Sequence, residues 1–177
     1  MGKIVISANT TLDGVVQDPD GQEGFERGGW FHQAATGKDL QDWTANETAE
    51  ARDAQALLLG RRSFEWFASR LPLMAERVSR AWADRMDELP KYVVSSTPAP
   101  AGWRNTTLLQ RDAVGEVSAL KSRVDGEILV YGSFQLARTL MAHDLVDELR
   151  LVVFPVVLGT GRRLFDEGGH AEPLRLI

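Results

Sequence analysis

The stretch Leu57-Leu58-Leu59-Gly60-Arg61-Arg62-Ser63-Phe64-Glu65-Trp66-Phe67 decides how the rest of the chain is read. Three leucines make a short apolar run of the kind that is buried on both faces of a parallel sheet. Gly60 then permits a tight turn or a close backbone approach to a ligand. Ser63 is of a type that caps helices, and the free N–H groups at a helix start attract anions. Arg61 and Arg62 add forked donors that match phosphate oxygens. The stretch is therefore either half of a phosphate site or an ordinary helix start with two solvated arginines.

Two further stretches repeat the design. In Ile128–Leu140 (ILVYGSFQLARTL) a buried strand passes through Gly132-Ser133 directly into a helix. Gly132 allows close approach, and Ser133 offers a hydroxyl and an N–H. In Lys91–Thr97 (KYVVSST), Ser95, Ser96 and Thr97 stand just past a strand. Taken singly, each is an ordinary strand end. Three of them at the carboxyl ends of one parallel sheet, where α/β proteins bind ligands, point to an extended nucleotide.

Working outward, short β-branched or apolar runs predict strands at Lys3–Ala8, Gln55–Leu59, Tyr92–Ser95, Thr106–Gln110, Glu127–Tyr131 and Glu148–Leu158. Pro155 inside the last implies an edge, a bulge or a bend. Helices are expected at Lys38–Asp53, Glu76–Leu89, Ala113–Val124 and Phe134–His143, and Ser63–Ser69 starts another. Pro98–Trp103 is a connection, and Leu174–Ile177 looks like the start of one more strand, cut short. Strands alternating with helices define an α/β protein with a largely parallel sheet. Residues from Asp13 to about Gly37 form a long polar, glycine-rich loop, a length that suits an active-site lid. Trp30 and Phe31 within it are a substrate lid or its anchor to the core. Asp13 is a turn residue or a ligand for a substrate amine or hydroxyl.

The 177 residues read as one domain, 1–177, since no repeat or linker divides them. A content of 44% hydrophobic and 25% charged residues is that of a globular protein, and the net charge of −5 argues against a nucleic-acid binder. The absence of cysteine removes thiolate chemistry and cysteine-bound zinc, and suits a cytoplasmic setting. No apolar run approaches membrane-spanning length. His32, His143 and His170 are isolated and predict no metal site. Gly159–Leu164 (GTGRRL) lacks the third glycine of a dinucleotide fingerprint and reads as a turn after a strand. Neither a P-loop nor a G-x-S-x-G elbow is present.

In order, the segments S-A-N-T-T-L-D-G, L-L-L-G-R-R-S-F-E, V-V-S-S-T, L-V-Y-G-S-F-Q-L-A-R-T-L and L-V-D-E-L-R-L-V-V-F-P-V-V-L-G-T-G-R-R-L-F resemble the dihydrofolate reductase-like superfamily. The branch they resemble holds the reductase domain of the bifunctional deaminase-reductase of riboflavin biosynthesis, together with small stand-alone reductases. The resemblance implies a three-layer α/β/α fold, a homodimer and NADPH as hydride donor. On matching positions, Gly60, Arg61, Arg62 and Ser63 would form the first phosphate turn, with Arg61 on the adenosine 2′-phosphate. Ser95 and Ser96 would lie on the adenosine side, and Gly132, Ser133 and Phe134 would cradle the pyrophosphate near the nicotinamide. Asn9 and Asp13 would face the reaction site, with Asp13 orienting substrate or supplying a proton.

The implied activity is hydride transfer to a small heterocyclic or phosphoribosylamino-pyrimidine-type substrate. The acidic context of a folate reductase is missing around Asp39, Asp42 and Glu47, and no motif marks Arg27 or Lys38 as a grip on a sugar phosphate. Relatives continue past Leu174–Ile177 into a final strand pair, so truncated C-terminal strands are expected. A non-catalytic NADP(H)-binding protein, a dihydrofolate reductase proper and a purely structural dimer are the competing readings.

Overall fold

The computed structural model describes residues 1–97, 102–165 and 173–177. Its strands are β1 (Lys3–Thr11), β2 (Ala54–Gly60), β3 (Lys91–Val94), β4 (Thr106–Leu109), β5 (Glu127–Tyr131) and β6 (Glu148–Phe154). Its helices are α1 (Trp30–Ala34), α2 (Lys38–Asp53), α3 (Arg61–Arg77), α4 (Arg80–Glu88), α5 (Ala113–Arg123) and α6 (Phe134–Met141). The strands form one sheet in the order β4-β3-β2-β5-β1-β6, and every neighbouring pair is parallel.

The apolar strands are buried on both sides because helices cover both faces. Along β5, Leu129 and Tyr131 pack under α2, α3 and α4 with Val5, Phe64, Trp82 and Met86. Ile128 and Val130 point the other way, to Val117, Leu120, Leu136 and Leu140 of α5 and α6. This alternation is the period-two rule of a strand applied to a doubly covered sheet. The result is the three-layer α/β/α arrangement expected from the sequence.

Three boundaries differ from the sequence expectation. Helix α3, expected to start over Ser63–Ser69, begins at Arg61 and runs through Pro72 to Arg77. Proline removes one intrahelical N–H, but Phe64, Phe67, Ala68, Leu71, Met74 and Ala75 all pack on the core and carry the helix past it. The single helix expected over Glu76–Leu89 is broken at Ser79, whose extended backbone and Oγ, accepting from Trp82 N at 3.2 Å, start α4 afresh. Strand β6 lies at the sheet edge and stops at Phe154, just before Pro155. Leu174–Ile177, expected as a strand, pairs with no strand among the described residues, and Leu176 is 99% exposed. His170 and residues 98–101 of the Pro98–Trp103 connection lie outside the described residues.

The loop from Asp13 to Gly37 is ordered by contacts of its own. Val15 bridges Arg163 in antiparallel fashion, so Gly159–Leu164 is a turn that returns beside this loop. Asp18, 1% exposed, accepts from Glu23 N at 2.9 Å and Phe25 N at 3.0 Å.

Candidate active site

The carboxyl ends of β3, β2 and β5 are consecutive in the sheet, so the three serine-bearing strand ends stand side by side. Two of them are bolted together. Gly60 N donates to Ser133 Oγ at 2.9 Å, and Ser133 N donates to Ser63 Oγ at 2.8 Å. Ser133 Oγ in turn donates to Tyr131 O at 3.1 Å. Gly132 and Ser133 both adopt left-handed backbones, with φ of 56° and 52°. A Cβ on Gly132 would come 3.0 Å from Ser63 Oγ, so only glycine lets the turns approach this closely.

This arrangement corrects two expectations. Ser63 does not cap α3, and Ser133 does not hold its hydroxyl or N–H free for a ligand; both serve the lock between turns. What faces outward is the start of α3 and the start of α6, neither of which has a side-chain cap. The first N–H groups of each helix lack intrahelical partners and carry the positive end of the helix dipole. Two such starts, fixed side by side, can hold an anion with more than one phosphate.

The third strand end joins through Arg61. Its Nη1 donates to Thr97 Oγ1 and its Nε to Glu65 Oε1 at 2.7 Å. Ser95 is buried and donates to Thr97 O at 2.7 Å, whereas Ser96 is exposed. Arg62 points away toward Glu23, 3.9 Å distant. Phe134 is the first residue of α6 and is partly exposed.

On the other side of the sheet end, Asn9 Oδ1 accepts from Trp43 Nε1 at 3.0 Å, which ties β1 to α2. Trp30 and Phe31 are core residues of the loop, 1% and 8% exposed, packed edge-on against Phe154. They anchor the loop and present no surface to a substrate in this conformation. Asp13 is likewise engaged. Its carboxylate accepts from Thr11 Oγ1 at 2.6 Å, Gly159 N at 2.8 Å and Leu158 N at 3.2 Å. The Thr11 hydroxyl and those backbone N–H groups, set against burial, hold it down to about 2. A group ionised at that level is a poor proton donor near neutral pH, so the expected role in proton supply does not fit.

The residues that sequence reading missed lie one layer down, beneath α2. Tyr131 Oη donates to Glu50 Oε2 at 3.3 Å and lies 3.5 Å from Glu47 O. Burial, reinforced by the charge of Glu50, pushes the Glu47 carboxyl up to about 8. Burial also raises Glu50, although Ser7 and Arg150 work against it, and raises Tyr131 well above the usual phenol range. A period-four signal was available in the sequence, because Trp43, Glu47 and Ala51 share the inner stripe of α2. Among the described residues no group of three or more His, Cys, Asp or Glu is placed to hold a metal ion, and no helix is long and apolar enough to cross a membrane.

Fold and site together define a dihydrofolate reductase-like α/β protein whose turns after β2 and β5 are locked to one another. The chain belongs to the RibD C-terminal domain family, whose model matches residues 2–177. It is 27% identical to the uncharacterized protein YyaP of Bacillus subtilis over 99% of this chain and 86% of that protein. It is 32% identical to YwjB of the same organism over 48% of this chain and 49% of that one. Among solved structures, it resembles a protein of Shewanella sp. PV-4 provisionally assigned to riboflavin biosynthesis, with a TM-score of 0.66, 20% identity, and coverage of 96% of this chain and 86% of that chain. At that identity the likeness establishes the fold.

Proposed function

We propose that this protein is an NADPH-dependent reductase of a small heterocyclic substrate, of the phosphoribosylamino-pyrimidine type or close to it, working as a homodimer. The observation that carries this reading is the reciprocal lock between Gly60–Ser63 and Gly132-Ser133. It aligns two uncapped helix starts, as a dinucleotide's pyrophosphate requires, and Gly132 lets the two turns approach with no Cβ against Ser63 Oγ. Arg61, braced by Glu65 and Thr97, is the donor for a 2′-phosphate, and Ser95 and Ser96 border the adenosine side. The bound nicotinamide would supply the hydride.

The chain's own residues would position and protonate. Asn9 fixes the end of β1 against α2 through Trp43. Asp13 holds the entrance of the loop to the turn after β6, which orients the loop rather than the proton. Burial pushes the Glu47 carboxyl up to about 8, a value at which it would carry a proton near neutral pH. The open edge of β6, where Leu151 and Val153 are 39% and 53% exposed, supports the paired assembly.

Calorimetric titration with NADPH and NADH, repeated on Arg61→Ala, tests the proposal. The expected result is tighter NADPH than NADH binding and a loss of about tenfold for NADPH alone in the variant, equivalent to roughly 1.4 kcal/mol. Absence of binding by either nucleotide to either protein would end the reductase reading.

A further inference from the structure

Glu23 sits at the tip of a loop that is folded on itself. Asp18 closes the loop by accepting the N–H groups of Glu23 and Phe25, while its own carbonyl accepts from Gly21 N at 3.1 Å and Gly29 N at 2.9 Å. The tip leans on α3: Gln22 Oε1 accepts from Arg70 Nη2 at 2.8 Å. One oxygen of Glu23 then meets two guanidinium groups from separate parts of the fold. Oε2 lies 3.1 Å from Arg162 Nη2, in the turn after β6, and 3.9 Å from Arg62 Nη2, at the start of α3.

Two arginines converging on one oxygen from distant elements form an anion site, and here the chain's own carboxylate fills it. We propose that Glu23 is an internal stand-in for a phosphate group, and that ligand phosphate displaces it from Arg62 and Arg162 and frees the loop tip. A phosphate carries more charge and more acceptor oxygens than a carboxylate, so it competes well for paired guanidinium groups. The resident pair is also cheap to open. Glu23, Arg62 and Arg162 are all substantially exposed, and such ion pairs contribute only about 0–1 kcal/mol. Asp18 keeps its bonds inside the loop, and Val16 N to Arg162 O and Arg162 N to Gln17 Oε1, both at 2.9 Å, hold the loop's base, so only the tip around the Glu23 side chain is released. Arg61 does not compete for Glu23, because Glu65 and Thr97 hold it.

The dinucleotide arm of the test rests on reading Gly60–Ser63 as a phosphate turn; the inorganic phosphate arm does not. Wild type, Glu23→Gln, Arg162→Gln and the loop control Glu26→Gln are titrated at low ionic strength with inorganic phosphate, NADPH and NADH. Glu23→Gln is expected to bind inorganic phosphate about 2–5-fold more tightly than Glu26→Gln, which removes the same charge from an exposed neighbouring position. Arg162→Gln is expected to bind it more weakly than wild type. An equal rise for NADPH and NADH assigns the site to the cofactor's pyrophosphate, and a rise for NADPH alone to its 2′-phosphate. A rise for inorganic phosphate without either dinucleotide assigns it to a phosphomonoester of the substrate. Should no dinucleotide bind any variant while Glu23→Gln still gains phosphate affinity, the cofactor reading fails and the arginine site stands. Equal affinities in Glu23→Gln and Glu26→Gln for every anion would overturn the proposal.

Discussion

The strand-end turns and the layer beneath α2 meet at the peptide between Tyr131 and Gly132, yet they treat polar groups in opposite ways. In the turns, the N–H groups of Gly60 and Ser133 and the hydroxyls of Ser63 and Ser133 are all spent on one another or on Tyr131 O. In the layer, Glu47, Glu50 and Tyr131 are buried together beneath α2, with Trp82 packed beside Tyr131. Mutual hydrogen bonding fixes a backbone shape; burial shifts protons. The first region suits holding a ligand, and the second suits keeping a proton available.

The largest effect is expected where the proton is kept. Glu47 has a folded value of about 8 against an ordinary 4.5, so the folded state binds the extra proton between these limits. Stability from this group is therefore full below about pH 4.5 and falls as pH rises toward 8. Glu47→Gln carries no titrating group and should be more stable than wild type at pH 8 by a few kcal/mol, on the order of 1.4 kcal/mol for each pH unit between the folded and ordinary values. Glu50, Arg150, Tyr131 and Glu127 still face the site in the variant, so part of the pH slope persists. Urea unfolding at pH 5.5 and 8 measures it. An unchanged slope in Glu47→Gln would show that Glu47 is ionised in the fold and would erase the contrast between the regions.

A smaller effect is expected from the turns. Gly132→Ala imposes a left-handed alanine and a 3.0 Å approach to Ser63 Oγ, whereas Gly24→Ala imposes the same kind of backbone, with φ of 79°, and meets nothing within 4 Å. Backbone strain alone costs roughly 1–2 kcal/mol in both, or about 2–8 °C in Tm. Gly132→Ala should also bind NADPH more weakly than wild type, because the lock must spread to admit the methyl. Equal affinities would mean that the lock is not what aligns the two helix starts.

The same contrast explains what the sequence made legible. Leu57–Ser63 and Glu127–Phe134 announce themselves because each is a local pattern, an apolar run followed by small residues. Their adjacency follows from the parallel topology. The use of Ser63 and Ser133 was not legible, since each hydroxyl bonds to a residue about seventy positions away. Asp13 failed for the same reason: its partners Leu158 and Gly159 lie beyond β6. Glu47 stands in the sequence beside Asp39 and Asp42 with no motif to mark it, and only its place on the buried stripe of α2 changes its chemistry. Local geometry is written in spacing, whereas a carboxyl's protonation is written in what folds over it.

Asp13 gives the smallest and sharpest test, because its carboxyl is held well below the usual carboxylate range. Its folded value of about 2 lies below the ordinary 3.8, so its contribution is present above pH 3.8 and is lost as pH falls through 2. Asp13→Asn keeps the shape but turns an amide N–H toward the donors Leu158 N and Gly159 N. It should cost about 1 kcal/mol at pH 7, the scale of one hydrogen bond, and progressively less below pH 4. Unfolding curves of the two proteins should therefore converge in acid. A gap that instead widens as pH falls from 7 toward 4 would mean that the carboxyl is already protonated in the fold. Asp13 would then recover the proton-supplying role that its three hydrogen bonds otherwise deny it, and the separation between a stiff binding region and a protonated layer under α2 would no longer hold.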